Sequence, residues 1–394
     1  MMPGGGLLRF EFATAARIIF GAGAVAGLPD LAAGFGGRVF VVVGAQAERH
    51  RAVLEALRQR VTAVEVFSVA GEPSVALVEA GVQRVRAARC EVVVALGGGS
   101  AVDAGKAIAG LAANPGEALD YLEVVGRGGA LPGPGLPCIA VPTTAGTGAE
   151  VTRNAVLAVP AAGVKVSLRS GFLVPRVALV DPELTYGLPV APTAAAGLDA
   201  LTQLIEPFLS IRANPLTDAL CRDGIARVAR ALPVAVREPR HAAARADLAL
   251  GALYSGLALA NAGLGAVHGL AAPLGGRFAA PHGAVCAALL PHVLRANLAA
   301  LRVRAPGNPV VLRFDEVARL VTGDAGATAD EGVERCAALA RGLGIQALDV
   351  WGVRQRDLPG IVGLARAASS MQANPIVLTP AELTAILEAA LMSG

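Results

Sequence analysis

Two histidines, His268 and His282, stand in the stretch GAVHGLAAPLGGRFAAPHG (265–283), inside the longest charge-poor part of the chain. They are two of only five histidines in 394 residues. Fourteen positions and a Pro/Gly-containing turn separate them, so two neighbouring helices can offer them to one point. In GLDALTQLIEP, Asp199 and Gln203 are four apart and share one helical face. An Asp on an otherwise apolar helix face needs a partner. Two imidazoles, a carboxylate and an amide oxygen together suit a borderline divalent ion, Fe2+ or Zn2+. Spacing alone does not make the three segments meet. A histidine in an apolar stretch is more often a satisfied core residue than a ligand.

A second chemistry is phosphate binding. In VVVALGGGSAVDAGKA (92–107), Gly97, Gly98 and Gly99 follow a strand pattern and open a helix pattern. Free N–H groups and the helix dipole there favour an anion. Ser100 is placed to act as N-cap and phosphate ligand, with Asp103 and Lys106 on the first turns. It is not a Walker A loop, which would need Gly at 100 and Ser or Thr at 107. A plain tight turn is the alternative, and three glycines with Ser, Asp and Lys favour phosphate over it. VPTTAGTGAEVTRNAV (141–156) is a second loop of hydroxyls and exposed backbone, and the two together make a two-sided clamp. The earlier FGAGAVAG nearly matches GxGxxG, but the next strand ends in Gly44, Ala45 and Gln46, without the acidic residue that would hold a ribose. It reads as a turn.

The elements that must position these groups change character along the chain. RVFVVVG, VTAVEVFSV, CEVVVALGGGS, LPCIAVPTT, AVLAV, KVSLRS and RVALVD read as short strands, and helical patterns alternate with the earlier ones. That alternation predicts a parallel, doubly wound sheet. After DPELTYGLP the patterns are helical to the end, which divides the chain into 1–184 (α/β) and 185–394 (all-α). Net charge is +3 with 16% charged residues and no basic run with interleaved aromatics, so nucleic acid is not an expected partner. Five scattered cysteines without a CxxC pair suit reduced thiols and a cytoplasmic location. The N-terminus lacks the pattern of a signal peptide. Mean hydropathy is +0.57. Leu248–Gly276 carries no charge and exceeds the about 20 residues that cross a bilayer. Its Ala/Gly/Leu composition, with Ser255, Asn261, His268 and Pro273 inside, reads as a buried helix packed through small side chains, and no membrane partner is expected.

GGGSAVDAGKAIA, PTTAGTGAE, KVSLRSGFLVPRVALVDPEL, GLDALTQLIEPFLS and HGLAAPLGGRFAAPHG occur in the order and spacing of the iron-containing (group III) alcohol dehydrogenases, and the resemblance runs from about residue 9 to the C-terminus. It implies a dinucleotide-binding α/β domain and a helical domain with the metal in the cleft between them, a fold shared with dehydroquinate-synthase-like enzymes. It implies Asp199, Gln203, His268 and His282 at the metal positions. It implies Gly97, Gly98, Gly99, Ser100 and Asp103 at the cofactor phosphates, Thr143, Thr144, Thr147 and Lys165 on the ribose and nicotinamide side, and Asn154 close to nicotinamide and substrate. The expected cofactors are NAD or NADP and a divalent ion, Fe2+ foremost and Zn2+ next. The expected substrate is a small alcohol, aldehyde or keto acid, and the expected assembly a homo-oligomer such as a homodimer.

The sequence departs from the family pattern in three places. Gln203 stands where the family usually has His. Ala272 stands where many relatives carry a proton-relaying His. No Asp occurs at 44–46, and Arg49 is near, which admits the 2′-phosphate of NADP. The Gln203 departure keeps the metal-independent maleylacetate reductases as an alternative, with Arg153 and Arg277 as candidate clamps for a keto acid. A dehydroquinate-synthase-like lyase would need more basic residues near these motifs than the chain has.

Overall fold

The computed structural model describes residues 9–278 and 280–391. The first eight residues, part of the stretch 1–20 on which the reading of no signal peptide rests, lie outside that range. The α/β part runs β1 (Arg17–Phe20), α1 (Leu28–Ala33), β2 (Arg38–Gly44), α2 (Arg51–Arg60), β3 (Ala63–Val69), α3 (Val75–Ala88), β4 (Val92–Gly97), α4 (Gly99–Ala112), α5 (Ala118–Tyr121), β5 (Cys138–Pro142), β6 (Asn154–Val159), β7 (Val164–Arg169) and β8 (Val177–Val180). Six strands form one sheet in the order β1-β8-β5-β4-β2-β3, every neighbouring pair parallel. Val39–Val43 of β2 are wholly buried, as a strand covered on both faces must be. Phe40 and Val42 pack with α3 and α4, whereas Val39, Val41 and Val43 pack with α1 and α2. AVLAV and KVSLRS do form strands, but not in this sheet. β6 and β7 are an antiparallel hairpin of their own, because only four residues separate their paired ends, too few for a parallel crossover.

The helical part runs α6 (Val190–Leu209), α7 (Pro215–Arg237), α8 (Ala242–Ala262), α9 (Ala266–Arg277), α10 (His282–Arg304), α11 (Val310–Thr322), α12 (Ala329–Gly342), α13 (Leu358–Ala367) and α14 (Pro380–Leu391). The stretch 248–276, expected as one buried helix, is two. α8 ends at Gly263, whose φ of 74° suits glycine, and α9 leaves at 101° to it. By length and composition α10, or α8 with α9, would be long and apolar enough to cross a bilayer. The bend, and the burial of most of α10 and of α8 and α9, place these helices in the protein core instead.

The two parts meet through closely approaching backbone. A Cβ on Gly148 would lie 2.4 Å from Gly256 Cα on α8, and one on Gly146 would lie 3.0 Å from Ala196 on α6. The β6–β7 hairpin reaches α9, where a Cβ on Gly276 would stand 3.1 Å from Gly163 O.

Candidate metal centre and cofactor cleft

Asp199 and Gln203 lie in the middle of α6, one turn apart and both buried. Gly283 sets the distance to α10. A Cβ there would meet Ala195 O at 2.4 Å, so only glycine lets the start of α10 press onto α6. That contact brings His282, the first residue of α10, to Asp199. His268 comes from the first turn of α9. Its ring centroid is 5.4 Å from that of His282. Nε2 of His268 and Nε2 of His282 are 3.5 and 3.9 Å from Asp199 Oδ1. That oxygen is buried and has no hydrogen-bond partner.

Two groups that sequence reading missed complete the neighbourhood. Glu206, on α6 two turns after Asp199, has Oε2 2.6 Å from Nδ1 of His268 and Oε1 accepting from the Val267 N–H at 2.7 Å. Cys286, one turn after His282 on α10, has its sulfur 3.7 Å from Nε2 of His268 and 3.6 Å from Nε2 of His282. The signals were present: a Glu inside the apolar LIEPF, and a Cys at the helical spacing from a candidate ligand.

Gln203 is hydrogen-bonded at both ends of its amide. Its Nε2 donates to Asp199 Oδ2 at 3.0 Å, and its Oε1 is 3.2 Å from the Ser255 hydroxyl. A carboxylate only accepts, so the amide nitrogen must face Asp199 and the oxygen is turned away. Ser255 is also 3.3 Å from Gly146 O, which links Asp199 through Gln203 to the threonine loop.

Charge in the cluster is strongly coupled. Burial pushes the Asp199 carboxyl up, but His268 and His282 outweigh it and hold it below its usual range. Burial would lower His268, but Cys286, Glu206 and Asp199 raise it well above the ordinary imidazole value. The charge of Cys286, opposed by burial and assisted by Asp199, raises His282 to about 9. The His282 side chain is 38% exposed against 6% for His268 and 3% for Asp199, so the cluster opens on the side of His282.

The glycine turn after β4 stands against the threonine loop. Thr143 N–H donates to Gly97 O at 2.9 Å, and Cβ atoms on Gly98 and Gly99 would lie 3.3 Å from Thr144 and 2.9 Å from Thr147. Ser100 is not the N-cap. α4 begins at Gly99, and Gly98, with no side chain to offer, occupies the cap. The first N–H groups to bond back are those of Ala101 and Val102, both onto Gly98 O, so those before them point out of the helix end. Asp103 and Lys106 are engaged internally: Lys106 Nζ lies 3.0 Å from Asp103, 2.8 Å from Ala149 O and 2.9 Å from Thr152, and Asp103 accepts from Val156 N–H. They fasten α4 to the threonine loop and β6. Lys165, on β7 beside Gly275, is paired with Glu72, and Asn154 opens β6 opposite Arg169. In the FGAG turn the N–H groups of Gly23 and Val25 donate to Asp181 just past β8, so they are already engaged.

Comparison with known proteins agrees along the chain. Residues 15–182 match the family model described as iron-containing alcohol dehydrogenase, and 193–391 match the C-terminal model of the Fe-containing alcohol dehydrogenase family. Alcohol dehydrogenase 4 of Saccharomyces cerevisiae is 36% identical over 319 residues, 81% of this chain and 80% of that protein. The 1,3-propanediol dehydrogenase of Klebsiella pneumoniae is 37% identical over 346 residues, 86% of each chain. The crystal structure of sulfoacetaldehyde reductase from Bifidobacterium kashiwanohense in complex with NAD+ superposes with a TM-score of 0.86 at 29% identity, over 98% of this chain and 100% of that one.

Proposed function

The chain belongs to the iron-containing alcohol dehydrogenase family, and from that premise we propose that it interconverts a small alcohol with its aldehyde or ketone, using NAD or NADP and a divalent ion at Asp199, His268 and His282. The observation that carries this reading is the orphaned Asp199 Oδ1, buried between two imidazole nitrogens with no hydrogen-bond partner. A buried carboxylate oxygen without a hydrogen bond is costly unless a cation meets it, the ion or, in its place, the protonated rings. When bound, the ion supplies Lewis acidity toward the substrate oxygen, and the nicotinamide takes or gives the hydride.

The protein's own residues position and polarise. Glu206 holds the proton on Nδ1 of His268 and leaves Nε2 free to ligate. His282, on the open side, faces the substrate. Gly97, Gly98, Gly99 and Ser100 offer N–H groups at the N-terminus of α4 to the pyrophosphate. Asp103 acts indirectly, by fixing that helix to β6. Thr143, Thr144 and Thr147 line the ribose and nicotinamide side, Lys165 closes it next to α9, and Asn154 stands near the reacting carbon. Ala272, one turn after His268, is exposed, so water or a ribose hydroxyl carries the proton. With no acid at 44–46 and Arg49 near, NADP is accepted beside NAD. We place the enzyme in the cytoplasm as a homodimer or larger homo-oligomer; its five cysteines are all free and buried.

The test is the ultraviolet absorbance of reduced nicotinamide with a panel of aldehydes and primary alcohols, NADH against NADPH, alongside metal analysis. His268→Ala and His282→Ala should each lose the ion and turnover. Full activity in the metal-free double variant would overturn the reading.

A further inference from the structure

We propose that Cys286, not Gln203, is the fourth protein ligand, so that the ion sits among one carboxylate oxygen, two imidazole nitrogens and one thiolate sulfur. The inference rests on the metal-dependent reading above and concerns how that site is built. One ligand atom from each of Asp199, His268, His282 and Cys286 lies within 4.8 Å of every other. An ion with bonds of about 2.0–2.1 Å to nitrogen and about 2.3 Å to sulfur holds tetrahedral N and S ligands about 3.5 Å apart. The sulfur lies 3.7 and 3.6 Å from the two Nε2 atoms. The same geometry asks for about 3.3 Å between oxygen and nitrogen, and Asp199 Oδ1 is 3.5 and 3.9 Å from them. Four of the six edges among these atoms are thus near those of a coordination shell, and the two others, nitrogen to nitrogen and oxygen to sulfur, are no longer than 4.8 Å.

Independent of the cysteine, Asp199 Oδ1 is aimed into the same space without a partner, on a side chain only 3% exposed. Gln203 cannot fill the fourth corner as it stands. The amide edge it turns toward Asp199 is a nitrogen bearing hydrogens, committed to Oδ2, and its oxygen is held at Ser255. Cys286 is fully buried and its neighbours in the cluster are the two rings and Asp199, so a thiolate there has a use that a packing cysteine would not. Metal binding releases to solvent whatever protons the sulfur and the two Nε2 atoms carry as the bonds to them form. The exposed side of His282 would leave the approach for a substrate oxygen to the ion.

The test loads the metal-free full-length protein with Co2+. The wild type should show a near-ultraviolet thiolate-to-cobalt charge-transfer band together with the visible cobalt bands. Cys286→Ser and Cys286→Ala should lose that band, and their Co2+ dissociation constants should rise by more than the about 10–100-fold that loss of an outer partner costs. Gln203→Leu, losing only such an outer partner, should keep the band and stay within that 10–100-fold range. Co2+ bound by the wild type with visible bands and no charge-transfer band overturns the thiolate ligand and leaves the dehydrogenase reading standing. A wild type that binds no Co2+, Zn2+ or Fe2+ overturns both. The wild-type spectrum decides the point even if the Cys286 variants fail to fold.

Discussion

Glu206 Oε2 lies 2.6 Å from Nδ1 of His268, while its other oxygen takes the N–H of Val267 in the first turn of α9. One carboxylate therefore fixes both the ring and the helix that carries it. A Cβ on Gly265 would stand 2.8 Å from Glu206 Oε1, so the glycine before α9 is what lets the carboxylate come so near. Glu206→Gln keeps an acceptor for Val267 but removes the charge that supports His268. Metal affinity should fall by about 10–100-fold with the fold intact, read by metal titration and circular dichroism. Unchanged affinity would mean that Glu206 only caps the helix.

Gly283 should not tolerate a methyl group. Its Cβ would be 2.4 Å from Ala195 O, a backbone atom that cannot swing aside. Gly283→Ala should destabilise the protein by about 1–3 kcal/mol in denaturant unfolding and release the ion, because α10 must leave α6. Gly307→Ala, where a Cβ meets nothing within 4 Å, is the control and should stay within about 0.5 kcal/mol.

Glu150, in the turn after Gly148, is 3% exposed, and burial pushes its carboxyl up to about 7. Its folded value lies above its unfolded value, so the folded state holds the extra proton. Stability from this group is full below about pH 4.5 and declines as pH rises toward about 7, by about 3 kcal/mol in all at 1.36 kcal/mol per unit. Glu150→Gln should flatten that decline in unfolding curves taken from pH 4.5 to 7. An equal decline in the variant would assign it to other groups.

The raised value of His282, about 9, has a consequence for metal uptake. In the metal-free protein the ring is protonated at neutral pH and must lose its proton to ligate. Apparent affinity should therefore rise by about tenfold per pH unit from this proton alone between pH 7 and 9 and flatten above. The charged ring also stabilises the metal-free fold fully below about pH 6.5, and that support is lost as pH rises through about 9. Competition titrations with a metallochromic chelator across that range check the first statement.

Much of this protein was legible in the sequence, for physical reasons. Short apolar runs ending in glycine can only be buried parallel strands when helical periodicity separates them, and they are. Asp199, His268 and His282 stood out because charge and imidazole are expensive in such apolar surroundings. Tertiary structure decided what local pattern could not carry. The hairpin of β6 and β7 left the main sheet because of its short connection, not its strand propensity. The 101° turn between α8 and α9 depends on one glycine at positive φ. Above all, the direction of a side chain is set by neighbours far away in the chain. Ser255, 52 residues on, turns the oxygen of Gln203 aside, and packing of α10 on α6 brings the Cys286 sulfur to the rings instead. Residue type and spacing named Asp199, Gln203, His268 and His282; only the contacts between helices brought Glu206 and Cys286 to the rings and turned Gln203 toward Ser255.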